Sequence, residues 1–61
     1  MQPRVFEFVE LTKALNYYQA LLKAIQKSSL RYSHMWFEVA LQYSNTHKVH
    51  IVTLNFGFYD S

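Results

Sequence analysis

The sequence predicts a small α+β fold in which one amphipathic helix packs on an antiparallel sheet, with the elements in the order β-α-β-β. Three observations predict it: a β-branched and aromatic segment at residues 4–9, a helical apolar stripe at 11–25, and two alternating segments at 35–43 and 49–58. A chain of 61 residues without internal repeats or a linker forms one domain, residues 1–61.

The segment at 4–9, RVFEFV, has the composition of a strand. Its apolar side chains would point both ways, with Phe6 and Phe8 on one side and Val5 and Val9 on the other. The alternative is a long N-terminal helix followed by a β-hairpin, because Phe8 shares the phase of the helical stripe that comes next. Val5, Phe6 and Val9 fall off that stripe, so we favour the strand.

The helix is predicted from apolar residues that recur at alternating spacings of four and three. They are Leu11, Leu15, Tyr18, Leu22 and Ile25, and Ala14 and Leu21 widen the stripe. Thr12 is an acceptable N-cap, and Ser28, Ser29 and Arg31 are typical of a helix end. The stripe is therefore expected to pack on the sheet and to leave the lysines of the opposite side in solvent.

The last two segments predict a hairpin, because apolar and polar residues alternate along both. A turn centred on Asn45-Thr46, or a four-residue loop at 44–47, pairs Val39 with Val52 and places both apolar sets on one face. Residues 34–44 could instead form a second helix, since several of their apolar residues also share a helical face.

A right-handed crossover would place strand 4–9 beside the last strand, which gives the sheet order 1-3-2. The residues expected to be most buried are those of the facing apolar sets: Leu15, Tyr18, Leu22, Phe37, Val39, Leu54 and Phe56. On this prediction, Leu22→Ala would lower the free energy of unfolding by about 2–5 kcal/mol.

A chain this short gains barely enough from burial to offset the ordering of its residues, and it has no cysteine for a disulfide. We therefore expect another chain to complete the core, most simply in a homodimer, either through the edge of strand 4–9 or through the second face of the sheet. The residues expected at this interface are Val5, Phe6, Phe8, Val9, Trp36, Ala40, Val49 and Ile51.

Charge gives a second hypothesis, because no acidic residue lies between positions 11 and 37. That stretch carries four cations: Lys13, Lys23, Lys27 and Arg31. Such a stripe suits nucleic acid, with Trp36 as a stacking platform. We favour the alternative of a solvated helix face, on which Lys23 and Lys27 complement the helix dipole.

Enzymatic chemistry is not expected, since the chain has no cysteine nucleophile and no glycine-rich phosphate loop. Glu7 and Glu10 are expected to be solvated charges. His47 and His50 have a His-x-x-His spacing but lack a third ligand, and Leu41 is predicted to lie opposite His50. We expect neither a metal nor another cofactor, and no small-molecule substrate.

The leading hypothesis is therefore a non-enzymatic interaction or regulatory module that binds a protein partner and forms a homodimer. The alternative is a small nucleic-acid-binding protein, and a His47/His50 ligand-binding module comes third. No apolar run approaches the ~20 residues that span a bilayer, and the N-terminal residues do not resemble an export signal, so a cytoplasmic protein without membrane contact is expected. No motif identifies a protein family.

Overall fold

The computed structural model describes residues 3–59 and confirms the predicted α+β fold. Strand β1 (Arg4–Phe8) leads into helix α1 (Leu11–Arg31), and strands β2 (Met35–Ser44) and β3 (Val49–Phe58) form a hairpin. The sheet order is β1-β3-β2, as predicted, and both outer strands are antiparallel to β3. The alternatives of a long N-terminal helix and of a helix at 34–44 are wrong.

Strand β1 ends one residue earlier than predicted, which leaves Val9 outside the sheet and exposed. Phe6 and Phe8 both point toward the helix, where they contact the ring of Tyr17 at centroid distances of 4.8 and 5.4 Å. These contacts tie the short first strand to the helix and identify the helix side of the sheet.

Helix α1 begins at Leu11, so the N-cap is Glu10 rather than Thr12, and no side chain caps the helix. The helix ends at Arg31, within the predicted exit at residues 28–31, and the backbone N–H of Tyr32 donates to the carbonyl of Ser28 at 2.7 Å. Leaving the first-turn N–H groups without a side-chain acceptor costs the helix roughly 1 kcal/mol relative to a Ser or Asp cap.

The hairpin register differs from the predicted one by two residues. Val39 lies opposite Leu54 rather than Val52, because the loop comprises residues 45–48 and lies one position later than predicted. The backbone N–H of His47 donates to Oγ of Ser44 at 3.2 Å, and Lys48 has a φ of 54°, in the left-handed region. A two-residue shift preserves which side chains share a face, so the predicted faces are still correct.

The face of α1 that packs on the sheet is rotated by about 70° from the predicted stripe. The residues that are buried or half-buried on the helix are Ala14, Tyr17, Tyr18, Leu21, Ile25 and Ser28. Leu15 and Leu22, expected in the core, keep 38% and 37% of their surface exposed. Among the residues described, only Ala14 and Val52 are fully buried.

Tyr18, Phe37, Val39, Leu54 and Phe56 are half-buried rather than central to the core. The structure is thin: its Cα atoms span 40 × 21 × 11 Å, the thickness of one helix layer on one sheet. The chain exposes 4967 Å² of surface. A compact 7.3-kDa monomer exposes about 4,200 Å². Two layers this small leave much apolar surface in contact with water.

Candidate functional site

One face of the sheet is not covered by any element in residues 3–59. Because Phe6 contacts the helix and pairs with Val52, the residues that alternate with these two point away from the helix. We call this surface the open face, and its apolar residues are Val5, Trp36, Ala40, Val49 and Ile51.

Five of the eight residues predicted for an interface therefore share the open face. Phe6 and Phe8 do not, because they pack on Tyr17, and Val9 lies beyond the strand. Ala40 and Val5 flank Thr53 in one cross-strand row, and Ile51 lies in the next row between Glu7 and Gln42. The apolar residues are thus distributed over several rows of the open face and are interspersed with polar ones.

Trp36 is the largest side chain of the open face and remains 39% exposed. Its indole lies over Gly57, its cross-strand partner, and a Cβ at that position would come within 2.8 Å of the indole Cζ2. The glycine therefore allows the ring to lie flat on the sheet. A flat, partly exposed indole is typical of the residues that contribute most to protein interfaces.

The charge of the open face is acidic. Glu7 and Glu38 are exposed on it, whereas none of its strand residues is a lysine or an arginine. Its remaining residues are the small or polar Gln42, Ser44, Thr53, Asn55 and Gly57. An apolar surface with carboxylates and no cation favours a partner with basic residues at its rim.

The predicted nucleic-acid residues lie on the opposite side of the molecule. All four cations of α1 are exposed, and Lys13 forms a surface ion pair with Glu10 at 3.5 Å. Trp36 points away from the helix, so it cannot stack on a base that these lysines hold. If the helix binds nucleic acid, an aromatic residue other than Trp36 must stack on the bases.

Such a group exists at the C-terminal end of α1, where sequence analysis did not predict it. The His34 ring stacks on Phe58 at 5.7 Å and meets Tyr32 edge-on at 6.3 Å. The guanidinium of Arg31 lies 5.7 Å from the Tyr32 ring centroid. Beside these exposed rings the backbone N–H of Tyr59 donates to the carbonyl of His34, which extends the β2–β3 pairing toward the helix end.

His47 lies in the hairpin loop, whereas His50 lies on β3. His50 pairs with Tyr43, whose ring lies 4.8 Å away, and not with Leu41 as predicted. Within residues 3–59 no three His, Cys, Asp or Glu side chains lie close enough together to hold a metal ion, and no pocket is present. The helix in that range does not have the combination of length and hydrophobicity needed to cross a membrane.

The geometry therefore offers an apolar, acidic sheet face on one side and a basic helix with an aromatic cluster on the other. Comparison of the chain with known protein families, curated proteins and solved structures finds no match.

Proposed function

We propose that this protein is a non-enzymatic interaction module whose open face binds a partner protein with an apolar surface and a basic rim. The observation that carries the proposal is the position of Trp36 and Ile51 on a sheet face that no element of residues 3–59 covers. Covering an exposed apolar face of this kind is the usual source of affinity in protein complexes.

The charges of the open face favour a different protein over a second copy of the chain. Two open faces packed together would bring Glu7 and Glu38 of both copies into one interface without a cation from the strands. Buried carboxylates without partners oppose association. A partner that supplies lysine or arginine at the rim removes this penalty.

A capture experiment with matched variants tests this proposal. The immobilised chain, its Trp36→Glu/Ile51→Lys variant and its Leu30→Glu variant are compared for capture of purified candidate proteins with basic-rimmed apolar surfaces. The open-face variant should lose binding, whereas Leu30→Glu, changed at an exposed position on the helix, should retain it. Binding should survive high salt, and the emission of the single tryptophan should shift to the blue on burial. Equal capture by the original chain and by both variants would contradict the proposal.

Nucleic-acid binding is the second candidate, and the aromatic cluster beside Arg31 is the observation that favours it. Exposed rings next to a cation can stack on bases while the lysines of α1 contact phosphates. Binding of a labelled single strand, followed by fluorescence anisotropy, should then fall steeply between about 50 and 200 mM salt. Replacing Lys13, Lys23 and Lys27 by Glu should abolish this binding and leave the capture by the open face unchanged.

We propose further that the protein acts in the cytoplasm. A chain without cysteine suits the reducing cytoplasm, and binding of a cytoplasmic protein through the open face is consistent with that location.

A further inference from the structure

The outer edge of β2 is long and unpaired within the described part of the chain. β2 has ten residues, Met35–Ser44, and its only sheet neighbour is β3. Soluble proteins usually protect such an edge with lysine, proline or a bulge. β2 contains neither lysine nor proline, and its one charged residue is Glu38. The other edge, β1, has only five residues, of which Arg4 and Glu7 are charged.

A second exposed apolar strip lies above that same edge. Leu11, Leu15 and Leu22 are 49%, 38% and 37% exposed, and we call them the leucine flank. They lie about 120–160° around the helix axis from Tyr17. Because Tyr17 packs on β1, at one edge of the sheet, the leucine flank faces the opposite edge, which is β2.

From this arrangement we propose that a second copy of the chain pairs with β2 in antiparallel orientation, forming a six-stranded sheet with both helices on one side. A two-fold axis perpendicular to the sheet brings the two unpaired edges together and turns the two leucine flanks toward each other. α1 packs mostly on β2 and β3, so the two helix axes would lie roughly 10 Å apart, the usual distance of helices in contact.

The sequence of β2 is self-complementary around Ala40. With Ala40 opposite Ala40 of the second copy, Glu38 lies opposite Gln42 on the open face. On the helix side, Phe37 then lies opposite Tyr43, an aromatic cross-strand pair. An axis at Glu38 would instead oppose two carboxylates.

The chain exposes 4967 Å², about 800 Å² more than a compact monomer of its mass. Pairing of two β2 edges and contact between two leucine flanks would cover part of this surface. This dimer leaves the open face free, so it does not depend on the partner protein proposed above.

The mass in solution and two sets of variants test the dimer. Light scattering at micromolar concentration should give twice the 7.3 kDa of one chain. Leu15→Glu/Leu22→Glu should halve that mass and keep the circular dichroism spectrum of the original chain. Two control variants, Leu30→Glu and Ile51→Lys, should remain dimeric. A monomeric native chain, or a dimer that only Ile51→Lys dissociates, would overturn the proposal, the latter because the second copy would then lie on the open face.

A cross-link provides a test that does not require the charged variants to fold. The chain has no cysteine, so Ala40→Cys introduces a single thiol, and the axis places the two copies within disulfide distance. Oxidised glutathione should convert Ala40→Cys to a covalent dimer, whereas Thr46→Cys, in the exposed loop, should remain largely uncross-linked. Equal cross-linking of both variants, or of neither, would refute the proposed axis.

Discussion

The indole of Trp36 lies so close to the backbone of Gly57 that a methyl group there would approach the ring to 2.8 Å. The two residues are direct cross-strand partners on β2 and β3. Gly57 is the only glycine of the chain, and its role is to make room for the one tryptophan.

Gly57→Ala should therefore displace the indole from the sheet into solvent. The expected result is a red shift of tryptophan emission and weaker binding by the open face, since the ring can no longer lie flat. Fluorescence of the variant reports this directly, and Thr53→Ser, on the same face but outside the Trp36 row, is the control. Unchanged emission in Gly57→Ala would show that the ring accommodates a methyl group.

Tyr17 holds β1 on the molecule, because it contacts both aromatic residues of that strand. Tyr17→Ala should lower the free energy of unfolding by about 2–4 kcal/mol. Amide hydrogen exchange in residues 4–8 should accelerate more than in the β2–β3 hairpin. Tyr32→Ala, at an exposed ring beyond the helix, serves as the control. Uniform acceleration across the whole sheet would indicate that β1 does not separate locally.

Val52 and Leu22 should differ in their contribution to stability, in contrast to the prediction from sequence. Val52 is fully buried at the centre of the sheet, so Val52→Ala should cost about 2–3 kcal/mol. Leu22 is 37% exposed, and Leu22→Ala should cost about 1 kcal/mol at concentrations where the chain is monomeric. Urea denaturation of both variants measures the difference, and equal losses would place Leu22 in the core.

The position of the helix stripe could not be obtained from the sequence because two apolar strips overlap on α1. The predicted stripe, which contains the leucine flank together with Tyr18 and Ile25, is the more hydrophobic of them, and periodicity alone selects it. The choice of the other strip depends on a long-range contact, that of Tyr17 with Phe6 and Phe8. Both strips would be buried if a second copy covers the leucine flank.

The hairpin register could likewise be predicted only in part from the sequence. Alternation of apolar residues determines which side chains share a face, and it predicted the open face correctly for Trp36, Ala40, Val49 and Ile51. It cannot distinguish two registers that differ by two residues. That choice depends on the loop, where Ser44 accepts the N–H of His47 and Lys48 adopts a left-handed conformation. The stacking of His34 on Phe58 at the helix end also joins residues that are far apart in sequence, so no local pattern predicted it.

The last prediction concerns the loop, where the positive φ of Lys48 is sterically unfavourable for a residue with a Cβ atom. Lys48→Gly should raise the free energy of unfolding by up to about 1 kcal/mol, because glycine adopts this conformation without a Cβ clash. Ser44→Ala should lower it by about 0.5–1.5 kcal/mol through loss of the bond to His47. Thermal unfolding measures both changes, and Thr46→Ala is the control. A destabilised Lys48→Gly variant would contradict the assigned loop geometry.

The central position of β3 has a consequence for synthesis of the chain on the ribosome. β3 is the last of the four elements to be made, yet within residues 3–59 both β1 and β2 pair only with it. Until residue 49 and those after it emerge, none of these strand pairs can form, and the pair Arg4–Leu54 joins residues that are far apart in the sequence. The nascent polypeptide therefore carries β1 and β2 without their strand partner until β3 emerges.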